Sequence, residues 1–465
     1  MALASNYFHD ANNADRQTLH RRIRPSASQF EEQQDRWNSV RDYLRPKLQE
    51  RSGHPTRSWL QGSYKFGTQI RPVKMGGEFD IDLGVYYCWA GQDDEGNFGP
   101  ADLQTFVQEA LRDFEAENDD VVRVAAPPKE RCCRVHFEGD FHIDVPAYHL
   151  DEQDDRRALA TKSDEWEASD PKAIYVWFVS EFDDYQRDRV RRLIRYFKAW
   201  AALKFDPDEG PSSVLLTVLA ANAVSRLGSD LPGPEDEAFR DAIAEMLDEV
   251  ATGQDVRNPV DDAENLAARM DANQWSEFTR KLHELLDVAE RAVECENEIE
   301  ACTEWSIPFE HLFPLPEPEE IEKGLTGLPA VIALPEVSVY AVSRDNRQMT
   351  YNGTNEIGPI PKNCEITFRV RNAHAMPPGT RYLWVVRNEG EEAEDLNDLG
   401  HTAGMGTTAS NTEHSAYVGT HYMDCTAIIP GHAPAIRRVK VQIRGIRAPK
   451  RHRPKPAYVR LRGRR

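Results

Sequence analysis

The chain has 465 residues, enough for two or three domains with cores of their own. Its 57 Lys+Arg against 78 Asp+Glu leave a net charge of −21, a field that opposes loose adhesion to nucleic acid or anionic lipid over most of the surface. No apolar run is long enough to span a bilayer, the best being Val214–Val224, and Met1–Asp10 lacks the charged-then-apolar build of a signal peptide. The 7 Cys form no CxxC pair and no Cys/His cluster of zinc spacing; Cys132 and Cys133 are neighbours, and Cys295 and Cys302 lie two helical turns apart. Reduced thiols in a cytoplasmic protein without membrane contact are therefore expected.

Phe30 to Gln49 has the spacing of an amphipathic helix, with Phe30, Trp37, Val40 and Leu44 on its apolar stripe. Trp59 to Thr68 follows as a turn opening into a short helix. Glu78 to Tyr87 (EFDIDLGVYY) alternates polar and apolar residues and predicts a strand. Arg131 to Val145 predicts a hairpin turning at Glu138-Gly139-Asp140, its second strand running from Phe141 to Val145 and stopped by Pro146. From Arg187 the pattern is helical, with Val190, Leu193, Ile194, Phe197 and Trp200 on one stripe. Further helices are expected from Ser212, over Ala238–Val250, over Glu264–Met270 and over Phe278–Cys302. Residues 307–335 have the Pro-rich, acidic composition of a linker. Ser338–Val342, Cys364–Val370, Tyr382–Arg387, Ser415–Val418, Tyr422–Ile429 and Val439–Ile443 predict the short strands of a small β-sandwich. Arg437–Arg465 holds no Asp or Glu, and residues 447–465 form a basic tail with the composition of a disordered segment.

Asp80 and Asp82 are separated by one apolar residue, so a strand points both carboxylates to one face. Phosphoryl transfer uses hard oxygen ligands that hold two divalent ions about 4 Å apart. A third carboxylate on a neighbouring strand completes such a cradle, and Asp144 in FHIDVP is the candidate. An isolated D-x-D is more often the polar face of a strand. Here, however, both carboxylates sit among β-formers, where charge without a counter-ion is costly. Gly62-Ser63 adds a backbone that approaches phosphate closely and a hydroxyl at a helix start, although Ser63 would equally serve as a plain helix cap. Lys198 follows five arginines (Arg187, Arg189, Arg191, Arg192, Arg195) and suits a triphosphate contact. Ser212, after Pro211, opens the next helix beside it, with Ser213 as the alternative.

In this order, QGSYKFGTQIRP, GEFDIDLGVYY, FHIDVPAY and RLIRYFKAW with the downstream PSSVLLTVL resemble the bacterial cyclic-oligonucleotide synthases of CBASS antiphage defence. These are relatives of animal cyclic GMP–AMP synthase and of oligoadenylate synthase. The resemblance covers about the first two thirds of the chain and implies an α+β fold. Residues 1–170 would be a polymerase-β-like nucleotidyltransferase core and 171–306 a helical lobe, with nucleoside triphosphates such as ATP or GTP in the cleft between them. It implies Asp80, Asp82 and Asp144 as ligands of two Mg²⁺, with Mn²⁺ as a substitute. Gln61, Gly62, Ser63, Lys198 and Ser212 would be the nucleotide contacts. No zinc insertion of the animal DNA sensor is present. Over residues 336–446, Trp384, Asn388, Gly390, Glu392 and Ala393, then Tyr417, Gly419 and His421, resemble the sensor domain that accompanies some of these synthases, and imply a β-sandwich that recognises a ligand. From the residues alone, Trp384 is more often a core residue and Gly390 and Gly419 turn glycines.

The expected activity is stepwise joining of triphosphates into a cyclic second messenger that acts through a downstream effector. Linear oligonucleotide synthesis, or transfer of a nucleotide to RNA or protein, uses the same chemistry. A catalytically silent nucleotide or nucleic-acid sensor is the reading from another class. The basic tail would be the place for a regulatory protein or nucleic acid.

Overall fold

The computed structural model describes residues 3–74, 76–228, 233–317, 334–429 and 435–445; the basic tail and most of the Pro-rich, acidic segment lie outside them. The chain divides into two compact units, Met1–Leu315 with Asp395–Asn397, and Pro316–Glu394 with Asp398–Arg465.

The first unit is built on a sheet whose axis is β2 (Phe79–Cys88). Strand β1 (Thr56–Gln61) runs antiparallel along one edge of β2, pairing Gln61 with Asp82. Along the other edge run β5 (Phe141–Val145) and β6 (Ala147–Asp151), both parallel to β2. Strand β4 (Cys133–Phe137) closes the expected hairpin against β5, and β3 (Val121–Val124) lies beyond it. Pro146 interrupts the path without ending it. The register continues from Asp82↔Asp144 to Val85↔Ala147, and the Pro146 carbonyl accepts from the Val85 amide. The stretch before Gly62 is likewise a strand, where the sequence predicts a turn. TRSWLQ has few apolar residues of its own, and its order comes from the hydrogen bonds of β2.

Alternation along β2 separates two environments. Ile81, Leu83 and Val85 face back into a core with Ile143 and Val135, beneath α3 (Ala27–Ser52) and α5 (Pro100–Glu117). Helix α3 contributes Val40, Leu44 and Leu48, and starts at a capping box of Ser26 and Gln29. Phe30 is 46% exposed and stacks on Tyr64 instead of entering the core.

Helices α7 (Asp184–Lys204), α8 (Ser213–Leu227), α9 (Glu235–Ala251), α10 (Ala272–Glu294) and α11 (Glu298–Phe309) form the lobe that follows. All five residues of the predicted α7 stripe are buried. The helix expected over Phe278–Cys302 is two helices, since Cys295 caps the first and Asn297, accepting from the Glu300 amide, starts the second. Glu264–Met270 is the end of a short strand, Asp261–Asn265, followed by a 3₁₀ turn capped by Asn265. Residues 307–315 belong to the lobe: Phe309, Leu312, Phe313 and Leu315 are buried there, and the first part of the expected linker is therefore core. Phe8, from the N-terminus, lies among Tyr196, Trp305 and Phe313 at 5.2, 4.8 and 5.1 Å.

The second unit is a β-sandwich. One sheet orders Thr350–Thr354, Val337–Ser343, Cys364–Val370 and Ser410–His414; the other orders Glu356–Pro361, Ala435–Arg444, Gly419–Ile428, Arg381–Arg387 and Gly400–Gly406. Val339, Ile366 and Phe368 from the first meet Trp384, Met423, Cys425 and Val439 from the second in one core. Ser415–Val418, expected as a strand, is a loop whose Ser415 hydroxyl donates to the Pro361 carbonyl and accepts from the Cys364 amide. None of the seven cysteines is in a disulfide. No helix among the described residues is long and apolar enough to cross a membrane.

Truncation of Phe8 would leave a void inside the aromatic cluster. Phe8→Ala is expected to destabilise the first unit by about 3–5 kcal/mol, read from urea denaturation followed by tryptophan fluorescence.

Candidate active site

Three neighbouring strands place a grid of side chains on the face of the sheet opposite the core. Asp80 pairs with His142 and Asp82 with Asp144 across β2 and β5; His142 pairs with His136 and Asp144 with Arg134 across β5 and β4. Glu78, two residues before Asp80, completes the first column. The three aspartates predicted from the sequence therefore stand side by side, although 62 residues separate Asp82 from Asp144 (144 − 82).

Their electrostatics are strained. Burial, then the charges of Asp80 and Asp144, push the Asp82 carboxyl well above its usual range, against the pull of Arg134 and Lys129. Burial also works to raise Asp144, but the Arg134 fork outweighs it and holds that carboxyl below its usual range. The fork closes on both oxygens of Asp144 at 2.5 and 2.7 Å, and Lys129 Nζ lies 3.3 Å away. Three acids gathered at a half-buried floor, with partial compensation by cations, are a set of hard oxygen donors suited to divalent metal. Asp80, His142 and Asp144 each present a ligand atom within 4.8 Å of the others, as do Glu78, His136 and His142.

Pairing of Gln61 with Asp82 delivers Gly62 and Ser63 to the same spot. Gly62 has φ +58°, and a Cβ there would meet Asp82 Oδ2 at 1.9 Å, so the residue has to be glycine twice over. The Gln61 side chain is not turned to the cleft. Its amide donates to the Tyr86 hydroxyl at 2.8 Å and accepts from the Tyr148 hydroxyl at 3.2 Å. These two bonds brace the end of β1 against β2 and β6.

A cleft of about 360 Å³ opens beside this face, lined by Ser63, Asp80, Lys198 and Ser213 among others. Lys198, buried, donates to the Thr68 hydroxyl at 3.1 Å. Burial first, and Arg195 second, draw its ammonium down to about 7, against the attraction of Asp82. Ser212 is the cap of α8, accepting from the Leu215 amide, while Ser213 reaches the cleft; the alternative serine is the better placed. Each arginine of α7 has a partner within the first unit. Arg191 donates to the Phe66 carbonyl, Arg195 to those of Gly67 and Gln69, and Arg189 and Arg192 bind Glu235; Arg187 donates to the Val179 and Phe182 carbonyls. Arg191, Arg195 and Lys198 share one helix face, and the two arginines clamp the backbone of Phe66, Gly67 and Gln69. Glu78, His136, His142 and Arg134 are neighbours of the aspartates that the sequence reading missed; period two counted back from Asp80 and Asp144 reaches Glu78 and His142.

In the second unit, Trp384 is core. Gly390 and Gly419 have φ +105° and +142° and interlock two loops, where a Cβ would meet the Val418 and Glu389 carbonyls. Glu392 accepts from the Val418 amide at 2.6 Å, Asn388 donates to the Asp398 carbonyl, and Ala393 is buried. Tyr417 donates to Asp398, and His421 Nε2 lies 2.9 Å from the Tyr417 carbonyl. These residues thus pack or bond within the second unit, while Trp384 Nε1 and His421 Nδ1 are buried with no hydrogen-bond partner.

Comparison with known proteins agrees with this geometry. Residues 56–148 match the family model of the cyclic GMP-AMP synthase DncV-like nucleotidyltransferase domain, and residues 319–444 that of the adenylyl/guanylyl and SMODS C-terminal sensor domain. A cyclic GMP-AMP synthase of Escherichia albertii is 28% identical over 93% of this chain and 95% of its own. One from Escherichia coli is 31% identical over 38% of this chain and 50% of its own. The Vibrio cholerae DncV structure in complex with the linear intermediate 5′ pppA(3′,5′)pG superposes with a TM-score of 0.56 at 20% identity, over 67% of this chain and 98% of that one. The fold and site define a nucleotidyltransferase. Residues 56–148 are a DncV-like nucleotidyltransferase domain by these family matches, and residues 319–444 a C-terminal sensor domain.

Two outcomes follow from the lysine and the serines. The folded protein takes up the Lys198 proton less readily than the unfolded chain, where lysine titrates at the usual 10.5. The charged lysine therefore destabilises the fold fully below about pH 7, and the penalty fades as pH rises toward 10.5. Lys198→Met should raise Tm, more at pH 6.5 than at pH 9.5, while removing nucleotide binding. Ser212→Ala should cost about 1 kcal/mol of stability through the lost cap, whereas Ser213→Ala should leave Tm unchanged and raise KM for triphosphate.

Proposed function

We propose that the chain joins nucleoside triphosphates, ATP and GTP first among them, into a cyclic oligonucleotide with release of pyrophosphate, and that the product is a second messenger of antiphage defence. The carrying observation is the convergence of Asp80, Asp82 and Asp144 on one face against Gly62, with Ser63, Ser213 and Lys198 lining the adjoining cleft. The names of the relatives, cyclic GMP-AMP synthase and c-di-GMP synthase, support a cyclic dinucleotide as the product.

Two Mg²⁺ held by the three aspartates would supply charge for the α-phosphate and activation of the attacking hydroxyl. The protein's own share is positioning. Gly62 leaves room for a phosphate beside Asp82, Ser63 and Ser213 donate hydroxyl hydrogen bonds, and Lys198, recharged by the bound triphosphate, stabilises the departing pyrophosphate. Arg191 and Arg195 keep the loop that carries these contacts in place.

Incubation with ATP and GTP in Mg²⁺ or Mn²⁺, followed by mass spectrometry, should yield a cyclic product. Asp82→Asn should lower its formation by about 10³-fold or more with Tm no lower than wild type. A linear product, or nucleotide attached to RNA or protein, would overturn the cyclic assignment; undiminished turnover in Asp82→Asn would overturn the site.

A further inference from the structure

His142 stands in the grid where a fifth oxygen-rich side chain would be expected, and its two nitrogens face different carboxylates. Nδ1 lies 2.7 Å from Glu78 Oε2, a hydrogen bond that places the ring proton on Nδ1. Nε2 faces the second carboxylate. It lies 2.9 Å from Asp80 Oδ1 without hydrogen-bond alignment, and it has no hydrogen-bond partner. The side chain is 8% exposed, so solvent does not satisfy it. A buried ring nitrogen with no hydrogen bond, 2.9 Å from a carboxylate oxygen, is satisfied by a cation held between them.

We propose that His142 Nε2 is a direct ligand of the divalent ion held by Asp80 and Asp144, making the centre a mixed nitrogen–oxygen site. The donor atoms of the three side chains lie within 4.8 Å of one another. The 2.9 Å between His142 Nε2 and Asp80 Oδ1 is close to the edge of an octahedron with bonds of about 2.1 Å. Glu78 is the outer partner. A metal-bound imidazole ordinarily passes its other N–H to a carboxylate, which fixes the tautomer and raises the basicity of the coordinating nitrogen. His136 supports that carboxylate in turn, with its Nδ1 3.0 Å from Glu78 Oε2. A nitrogen among carboxylates moves the preference of the site away from Mg²⁺ and toward transition ions such as Mn²⁺ and Co²⁺. The inference rests on the three aspartates being metal ligands, as proposed above, and adds a donor that the carboxylate set alone does not contain.

The full chain, loaded with Mn²⁺ alone, gives the test by pulsed electron paramagnetic resonance. The wild type should show a ¹⁴N coupling of a directly bound imidazole, converted to a ¹⁵N pattern when the protein is grown with ¹⁵N-histidine. His136→Asn should keep the coupling and His142→Asn should lose it, with Mn²⁺ affinity down about 10–100-fold and Mg²⁺ affinity little changed. Glu78→Gln should keep the coupling while weakening Mn²⁺ binding by a similar factor. The wild-type spectrum needs no variant, so a misfolded His142→Asn does not hide the answer. Mn²⁺ bound with no histidine coupling, but released by Asp82→Asn, would overturn the His142 assignment and leave the catalytic reading standing. Failure of the wild type to bind Mn²⁺ at all would sink both.

Discussion

The site depends on β2 being paired along both edges in fixed register. Gln61↔Asp82 on one side sets Gly62 against a carboxylate, and Asp82↔Asp144 on the other brings in the third acid. A slip of one residue at either edge would turn the acids into the core and the apolar residues to the cleft. Ile81, Leu83 and Ile143, packed beneath α3 and α5, make such a slip expensive. The hydrophobic effect on one face thus holds like charges together on the other. At an effective dielectric of about 20, a pair of carboxylates 4 Å apart repels by about 4 kcal/mol, so the apolar back of the sheet has to outweigh a real electrostatic cost.

That cost is relieved by cations of the protein arranged around the acids. Arg134 and Lys129 hold Asp144 from the hairpin side, and Lys198 approaches from the lobe. None of these neutralises Asp82, which is the acid whose protonation is most disturbed. The uncompensated charge is concentrated where Gly62 and the cleft meet it, which is where a metal-bound triphosphate would have to sit.

The parts of the site legible in the sequence were those that repeat within one element. Asp80 and Asp82 follow the alternation of a strand, FHIDVP is a run of β-formers around one acid, and the α7 stripe has helical spacing. The α5 stripe of Leu103, Val107, Leu111 and Phe114 is equally regular, though only the fold makes its place beneath the sheet apparent. Features that depend on a partner were not legible. TRSWLQ is ordered by β2, Gln61 is claimed by two tyrosines from other strands, and Ser213 rather than Ser212 faces the cleft because the cap position fixes which hydroxyl turns inward. Arg191 and Arg195 read in the sequence only as part of the arginine run before Lys198, and the fold commits both to backbone carbonyls.

That commitment has a consequence for how the loop evolves and how it can be engineered. A guanidinium that grips main-chain oxygens is blind to the side chains they belong to. Positions 66 and 69 are therefore held in space without being held to an identity by the clamp, whereas at Gly67, with φ +68°, a Cβ would meet Arg191 Nε at 3.3 Å. The main chain of the segment keeps its place while the side chains at 66 and 69 change.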